Sequence, residues 1–157
     1  GDVVLLQGNL ALATTGTILA AAWSRGASTV FNPAPFWPGV EPLVGHCNLV
    51  IANRVEAAAL GSSLHAARAA IVTLGAAGCT LIEGGNQQAF PAEPIVTIDT
   101  TGCGDTFCGA MVALLARGMA IDAAIPHAQK AAALTATRAG AFAALPSRAE
   151  LGAILAA

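Results

Sequence analysis

The chain has 157 residues, enough to bury a core of its own, with 55% hydrophobic residues, only 10% charged ones and a net charge of −2. That balance and the lack of a basic cluster argue against nucleic-acid binding. The longest apolar stretches are broken by Arg117, Asp122 or glycine, short of the ~20 residues a membrane-spanning helix needs. A typical soluble protein carries roughly 25% charged residues, so part of this apolar surface is expected to be covered, by self-association or by a missing N-terminal half. Cys47, Cys79, Cys103 and Cys108 show neither metal-ligand nor disulfide spacing, and Gly1-Asp2 runs straight into a strand-like segment with no signal peptide. Both features fit a cytoplasmic protein.

Taken in order, Val3–Gln7 reads as a strand and Leu12–Ser24 as a helix, with Gly26 just past its end. Ser28–Asn32 is a strand closed by the Pro33/Pro35 loop, and Leu49–Ala52 is a short buried strand. Val55–Leu60 is a short helix ended at Gly61, and Ala69–Leu74 a strand. Cys79–Glu83 and Gln88–Phe90 flank Gly84-Gly85-Asn86 as a hairpin. Ile95–Ile98 reads as a strand leading into a glycine turn, Cys108–Leu115 as the helix after it, and Ala120–Thr137 as mostly helical around Pro126. Strands and helices alternating this way predict an α/β fold with a mainly parallel sheet, helices on both faces and the glycine turn at a strand's carboxyl end.

That turn, Gly102-Cys103-Gly104-Asp105, carries the most chemistry. Two glycines between strand and helix let backbone N–H groups converge where the helix dipole is positive, which makes an anion site. An aspartate there would repel an anion unless it serves as a base toward a hydroxyl attacking that anion, so the pattern points to phosphoryl transfer from a nucleotide to an alcohol. The plain alternative for Asp105 is a helix N-cap. Asn53 and Glu56 share a face at a helix start, at i and i+3, the spacing of a capping box variant. Thr73-Leu74-Gly75-Ala76-Ala77-Gly78 is either an ordinary left-handed turn or a loop that lets a nucleotide approach the backbone. His46, His65 and His127 are scattered and read as structural or surface residues. A dinucleotide-binding fingerprint would need a glycine pattern after the first strand, which Gln7-Gly8-Asn9-Leu10 lacks.

The run Asp99-Thr100-Thr101-Gly102-Cys103-Gly104-Asp105-Thr106-Phe107 closely resembles the signature of the ribokinase-like (PfkB) carbohydrate kinases. Asn32-Pro33-Ala34-Pro35, Asn53-Arg54-Val55-Glu56, Thr73–Gly78 and Thr137-Arg138-Ala139-Gly140-Ala141 match family segments in order. The resemblance spans essentially the whole chain but corresponds to the C-terminal half of a family member. It implies a three-layer αβα fold truncated at the N-terminus and lacking the β-lid, in one half-domain over residues 1–157.

It also implies roles. Asp105 takes the acceptor proton, and Gly102, Cys103 and Gly104 give backbone donors to the phosphoryl group. Cys103 stands where most members have alanine, as a small filler or as a nucleophile. Asn53 and Glu56 hold Mg²⁺ and phosphate through water, with Arg54 where many members carry Glu. Thr73–Gly78 and Gln129 contact ATP, Gln129 replacing an Asn or His or else simply facing solvent. Asp99 with the carbonyls of Thr101, Thr135, Arg138 and Gly140 corresponds to a K⁺ site, or Asp99 is only a hydrogen-bonded strand-end residue. Ala144 replaces a serine ligand of that site. Asn9 replaces a sugar-binding Glu, or is a loop residue. The helix usual before the Thr73 segment is shortened to Ser62–Arg68. The expected partner is a sugar, with a nucleoside or hydroxymethylpyrimidine as the alternative acceptor. A different class, an inactive nucleotide-binding or interaction fragment, follows if the missing half leaves the acceptor unpositioned.

Overall fold

The computed structural model describes residues 1–156, which form two compact units, Gly1–Phe90 and Pro91 onward. The first unit is built on one six-stranded sheet in sequential order. Its strands are β1 (Val3–Gln7), β2 (Ser28–Asn32), β3 (Leu49–Asn53), β4 (Ala69–Thr73), β5 (Cys79–Glu83) and β6 (Asn86–Phe90). β1 to β4 run parallel, and β5 and β6 turn back antiparallel. Helix α1 (Leu12–Ser24) links β1 to β2, and α2 (Arg54–Leu60) links β3 to β4.

The parallel strands are continuous apolar runs because a crossover sheet buries both strand faces. Val30, Phe31, Val50 and Ile71 are all but inaccessible. Phe31 and Val50 join Leu19 of α1 with Val40, Val44, Leu60 and Leu64 in one cluster. Burial pushes the Cys47 thiol up to about 12 and that of Cys79 to about 11, so both act as small apolar fillers. Gly26, at φ 75°, closes α1 as expected. The hairpin turn is tighter than its sequence suggests. Glu83 pairs with Asn86, so only Gly84 and Gly85, at φ 57° and 81°, form the loop. Two successive left-handed residues match the strand twist, and β6 therefore starts two residues before Gln88.

The second unit holds α3 (Cys103–Ala116), α4 (Ile121–Ala136) and α5 (Arg148–Ala156). Phe107, Ala110, Met111 and Leu114 of α3 are buried, as are Ala124, Ile125, Ala128 and Ala131 of α4, each at the three-to-four spacing of an apolar helix stripe. Three expectations are corrected here. Ile95–Ile98 is not a strand: the N–H groups of Ile98 and Asp99 both donate to the Ala136 carbonyl at the end of α4, at 2.8 and 3.2 Å. Its backbone is thus tied to a helix terminus and not to a ladder, and Val96 and Ile98 are exposed. The glycine turn accordingly follows an irregular segment. α3 also begins at Cys103, not Cys108, because Gly102 alone makes the change of direction and the residues after it are already helical. Finally, α5 was not anticipated, although Ser147 and Glu150 cap it reciprocally, Ser147 N–H to Glu150 Oε2 at 2.8 Å and Glu150 N–H to Ser147 Oγ at 3.3 Å.

Candidate active site

In the first unit the four parallel strands end along one sheet edge, so Asn9, Asn53 with Glu56, and Thr73–Gly78 all lie at that carboxyl edge. This is where open α/β sheets bind ligands. Asn53 caps α2: its Oδ1 accepts from the N–H groups of Val55 and Glu56 at 2.9 and 3.0 Å. The Glu56 carboxylate answers from the other side, accepting the Asn53 N–H at 2.8 Å and the Asn53 amide at 2.7 Å. The capping box is therefore fully formed. Both lone pairs of Asn53 Oδ1 are used, which leaves the buried Glu56 carboxylate as the ligand with acceptor capacity to spare. Among the described residues no three His, Cys, Asp or Glu side chains gather as a metal cage. The donor set fits a magnesium ion that arrives on a phosphate and keeps its waters.

The Thr73–Gly78 loop closes on itself. Leu74 N–H donates to the Gly78 carbonyl at 2.8 Å and Gly78 N–H to the Gly75 carbonyl at 2.9 Å, with Gly75 at φ 62° and Gly78 at φ 91°. Gly75, Ala76 and Ala77 form its exposed rim, small enough for a planar ligand to reach the backbone.

A second lock joins the ends of β1 and β2. Gln7 Nε2 donates to Asn32 Oδ1 at 3.2 Å, and Asn32 Nδ2 to the Ile51 carbonyl at 2.7 Å. Gly8 donates to the Ala34 carbonyl at 3.0 Å. A Cβ on Gly8 would lie 2.1 Å from the Pro35 carbonyl oxygen, so only glycine fits this close approach. Asn9, next to it, is exposed.

In the second unit Gly102, at φ 80°, is the N-cap of α3. Gly102 and Gly104 thus both stand at the N-terminus of a helix. Asp105 sits in the first turn, exposed, and is not the N-cap. Gly104 is exposed beside it, its N–H among the first-turn donors that lack an intrahelical acceptor. One expectation changes: the Cys103 N–H donates to the Thr100 carbonyl at 3.2 Å, closing the turn, and so is not offered to an anion. Burial, followed by the charge of Asp99, raises the Cys103 thiol, which disfavours the thiolate form and fits a small filler.

Asp99 holds the turn from below. Its Oδ1 accepts from Thr101 N–H at 2.9 Å and Thr101 Oγ1 at 2.7 Å, and its Oδ2 from Gly140 N–H at 2.9 Å. The two Thr101 bonds, followed by the Gly140 one, lower its pKa. Asp99 is thus an anchor with one lone pair left for a cation. The Thr135 carbonyl accepts the Arg138 N–H at 3.1 Å, which leaves it a second lone pair, and the Arg138 guanidinium grips Glu150. Thr135 Oγ1 meets Thr106 Oγ1 at 2.9 Å between α3 and α4. Gln129 is half-buried on α4. His127 is structural, its Nδ1 lying 2.8 Å from the Ile154 carbonyl oxygen.

Residues 1–148 match the pfkB family carbohydrate kinase. The chain is similar to the ribokinase of Bacillus subtilis, 30% identical over 161 residues, covering 98% of this chain and 55% of the relative. Among solved structures it is similar to Thermotoga maritima ribokinase, with a TM-score of 0.86, 27% identity and coverage of 100% of this chain and 57% of the other. It also shares its fold with Arabidopsis thaliana ribokinase, solved with ribose and ATP, at a TM-score of 0.82, 21% identity and coverage of 98% and 55%. The chain thus spans about half the length of these proteins. With the signature turn, the Asn53–Glu56 pair and the Thr73–Gly78 loop each placed, the chain has the ribokinase-like α/β fold and belongs to the pfkB family of carbohydrate kinases.

Proposed function

We propose that this chain carries the phosphoryl-transfer portion of an ATP-dependent sugar kinase. The observation that carries the reading is Gly102 capping α3 in a left-handed conformation with Asp105 in the first turn. That turn presents helix N–H dipoles to an anion and a carboxylate to an incoming hydroxyl. The Asp105 carboxylate takes the proton of the sugar hydroxyl as its oxygen bonds to the γ-phosphorus. The bond from that phosphorus to the bridging oxygen breaks, and ADP leaves with the electron pair. Gly102 and Gly104 let the phosphoryl group approach the backbone, and Asp99 fixes the turn through Thr101 and Gly140. Thr73–Gly78 and Gln129 hold the nucleotide, and Asn9 hydrogen-bonds the sugar. Glu56, with its spare acceptor capacity, would hold the Mg²⁺ that accompanies ATP, which would supply charge neutralisation at the phosphates. A K⁺ ion on the spare Asp99 lone pair with the carbonyls of Thr101, Thr135, Arg138 and Gly140 would stiffen the turn further. The bound ATP and ribose of the Arabidopsis relative support this choice of ligands. The four cysteines are free, as a reducing compartment keeps them, which supports a cytoplasmic setting.

The test is Asp105→Asn in the enzyme that phosphorylates sugar. Transfer should fall by about 10²–10⁴ while ATP affinity stays unchanged, and Cys103→Ala should have no effect on either. Loss of activity in Cys103→Ala but not in Asp105→Asn would overturn these roles.

A further inference from the structure

A tryptophan stands at the carboxyl edge of the sheet without a role in the reading above. Trp37 follows β2 in the Pro33–Val40 segment and is 55% exposed. It is held nevertheless. Its indole N–H donates to the Gly8 carbonyl at 2.7 Å, and the Gly8 N–H reaches back to Ala34 at 3.0 Å. The segment is clamped on both sides of the ring: Pro35 fills the space a Gly8 side chain would need, and a Cβ on Gly39 would lie 3.2 Å from Leu12. The one polar atom of the ring is satisfied, so its face is what remains to interact. Asn9, an exposed amide donor and acceptor, follows the residue to which the indole is bonded.

We infer that Trp37 is a specificity-determining platform on which the ring of the acceptor sugar stacks, with Asn9 taking its hydroxyls. A rigid aromatic face attracts the C–H face of a sugar through its quadrupole, and small-ligand sites combine apolar surface with a few placed polar groups. The pinned indole loses almost no side-chain entropy on binding. The inference rests on the proposed function and names the chemistry of its acceptor side.

The test uses the intrinsic emission of Trp37 in the chain with Trp23→Phe, which removes the other indole. Ribose and fructose should change the emission saturably at millimolar concentrations with ATP–Mg²⁺ present, and should protect the ring from acrylamide. By calorimetry Trp37→Ala should weaken sugar binding about tenfold, Trp37→Phe should retain most of it, and neither should alter ATP binding. If emission and acrylamide access ignore both sugars while ATP still binds, the inference fails and the proposed function stands. If acrylamide cannot reach Trp37 in the sugar-free protein, a polypeptide covers the ring and the inference fails likewise. Absence of ATP binding would sink the proposed function itself.

Discussion

Replacing Gly102 or Gly104 with alanine should have opposite effects on stability, although the two residues are neighbours in one turn. Gly102 sits at φ 80°, and a Cβ there would meet the Ala141 carbonyl oxygen at 3.4 Å, an ordinary contact. The cost is therefore conformational, about 1–2 kcal/mol for placing an L-residue in the left-handed region. Gly104 has helical backbone in the first turn of α3, and nothing lies within 4 Å of its Cβ position. Alanine there removes unfolded-state entropy and should stabilise by up to about 1 kcal/mol. For a chain of this size the melting temperature should fall by about 2–8 °C in Gly102→Ala and rise by a few degrees in Gly104→Ala. Far-UV circular dichroism against temperature measures both. Equal effects, or a stabilised Gly102→Ala, would refute the left-handed cap and with it the geometry of the anion turn.

Three further outcomes follow from the geometry. Gly8→Ala forces its Cβ onto backbone at 2.1 Å, so urea unfolding should show a loss of about 3 kcal/mol, far more than at Gly102. Asn53→Ala removes the α2 cap and should cost about 1 kcal/mol in the same assay, and Asn48→Ala at the opposite end of β3 serves as a comparison of a different kind, since Asn48 instead bridges to Thr29. The third concerns pH. The Arg138 hydrogen bond, helped by Ser147, holds Glu150 down at about 2, below its ordinary 4.5. A lowered carboxylate contributes stability above its unfolded pKa and loses it as pH falls through the folded one. The melting-temperature gap between wild type and Glu150→Gln should thus be constant down to about 4.5 and close toward about 2. A gap that widens with acid would contradict the Arg138–Glu150 pairing.

What the sequence discloses depends on how local the cause is. β1, α1 and β2 are legible to the residue because their ends are marked by Gly26 and Pro33 and their interiors by uninterrupted apolar runs. Ile95–Ile98 has the composition of a strand, yet a strand exists only where a ladder partner does, and the Ala136 carbonyl instead takes the N–H groups of Ile98 and of Asp99 after it. Asp105 and its turn were visible as chemistry before they were visible as geometry. The start of α3 was not, since it hinges on the single left-handed Gly102. The Cys103 N–H looked like an anion donor because a one-dimensional pattern cannot show that Thr100 already accepts it. Trp37 gave no signal at all, because its importance rests on a bond to Gly8, nearly thirty residues earlier. The signal for α5 was present in Ser147-Arg148-Ala149-Glu150, a capping-box spacing that precedes an apolar run.

The central claim is that this chain binds the phosphoryl donor. Isothermal titration of the folded chain with ATP–Mg²⁺ tests it most directly, with Gly75→Val, which strains a φ of 62° on the exposed rim of the Thr73–Gly78 loop, as the paired variant. The account predicts a saturable one-to-one heat at micromolar to millimolar ATP that is strongly reduced in Gly75→Val and unchanged in Asp105→Asn. No heat from folded protein at millimolar ATP–Mg²⁺, or equal heat in wild type and Gly75→Val, would contradict it.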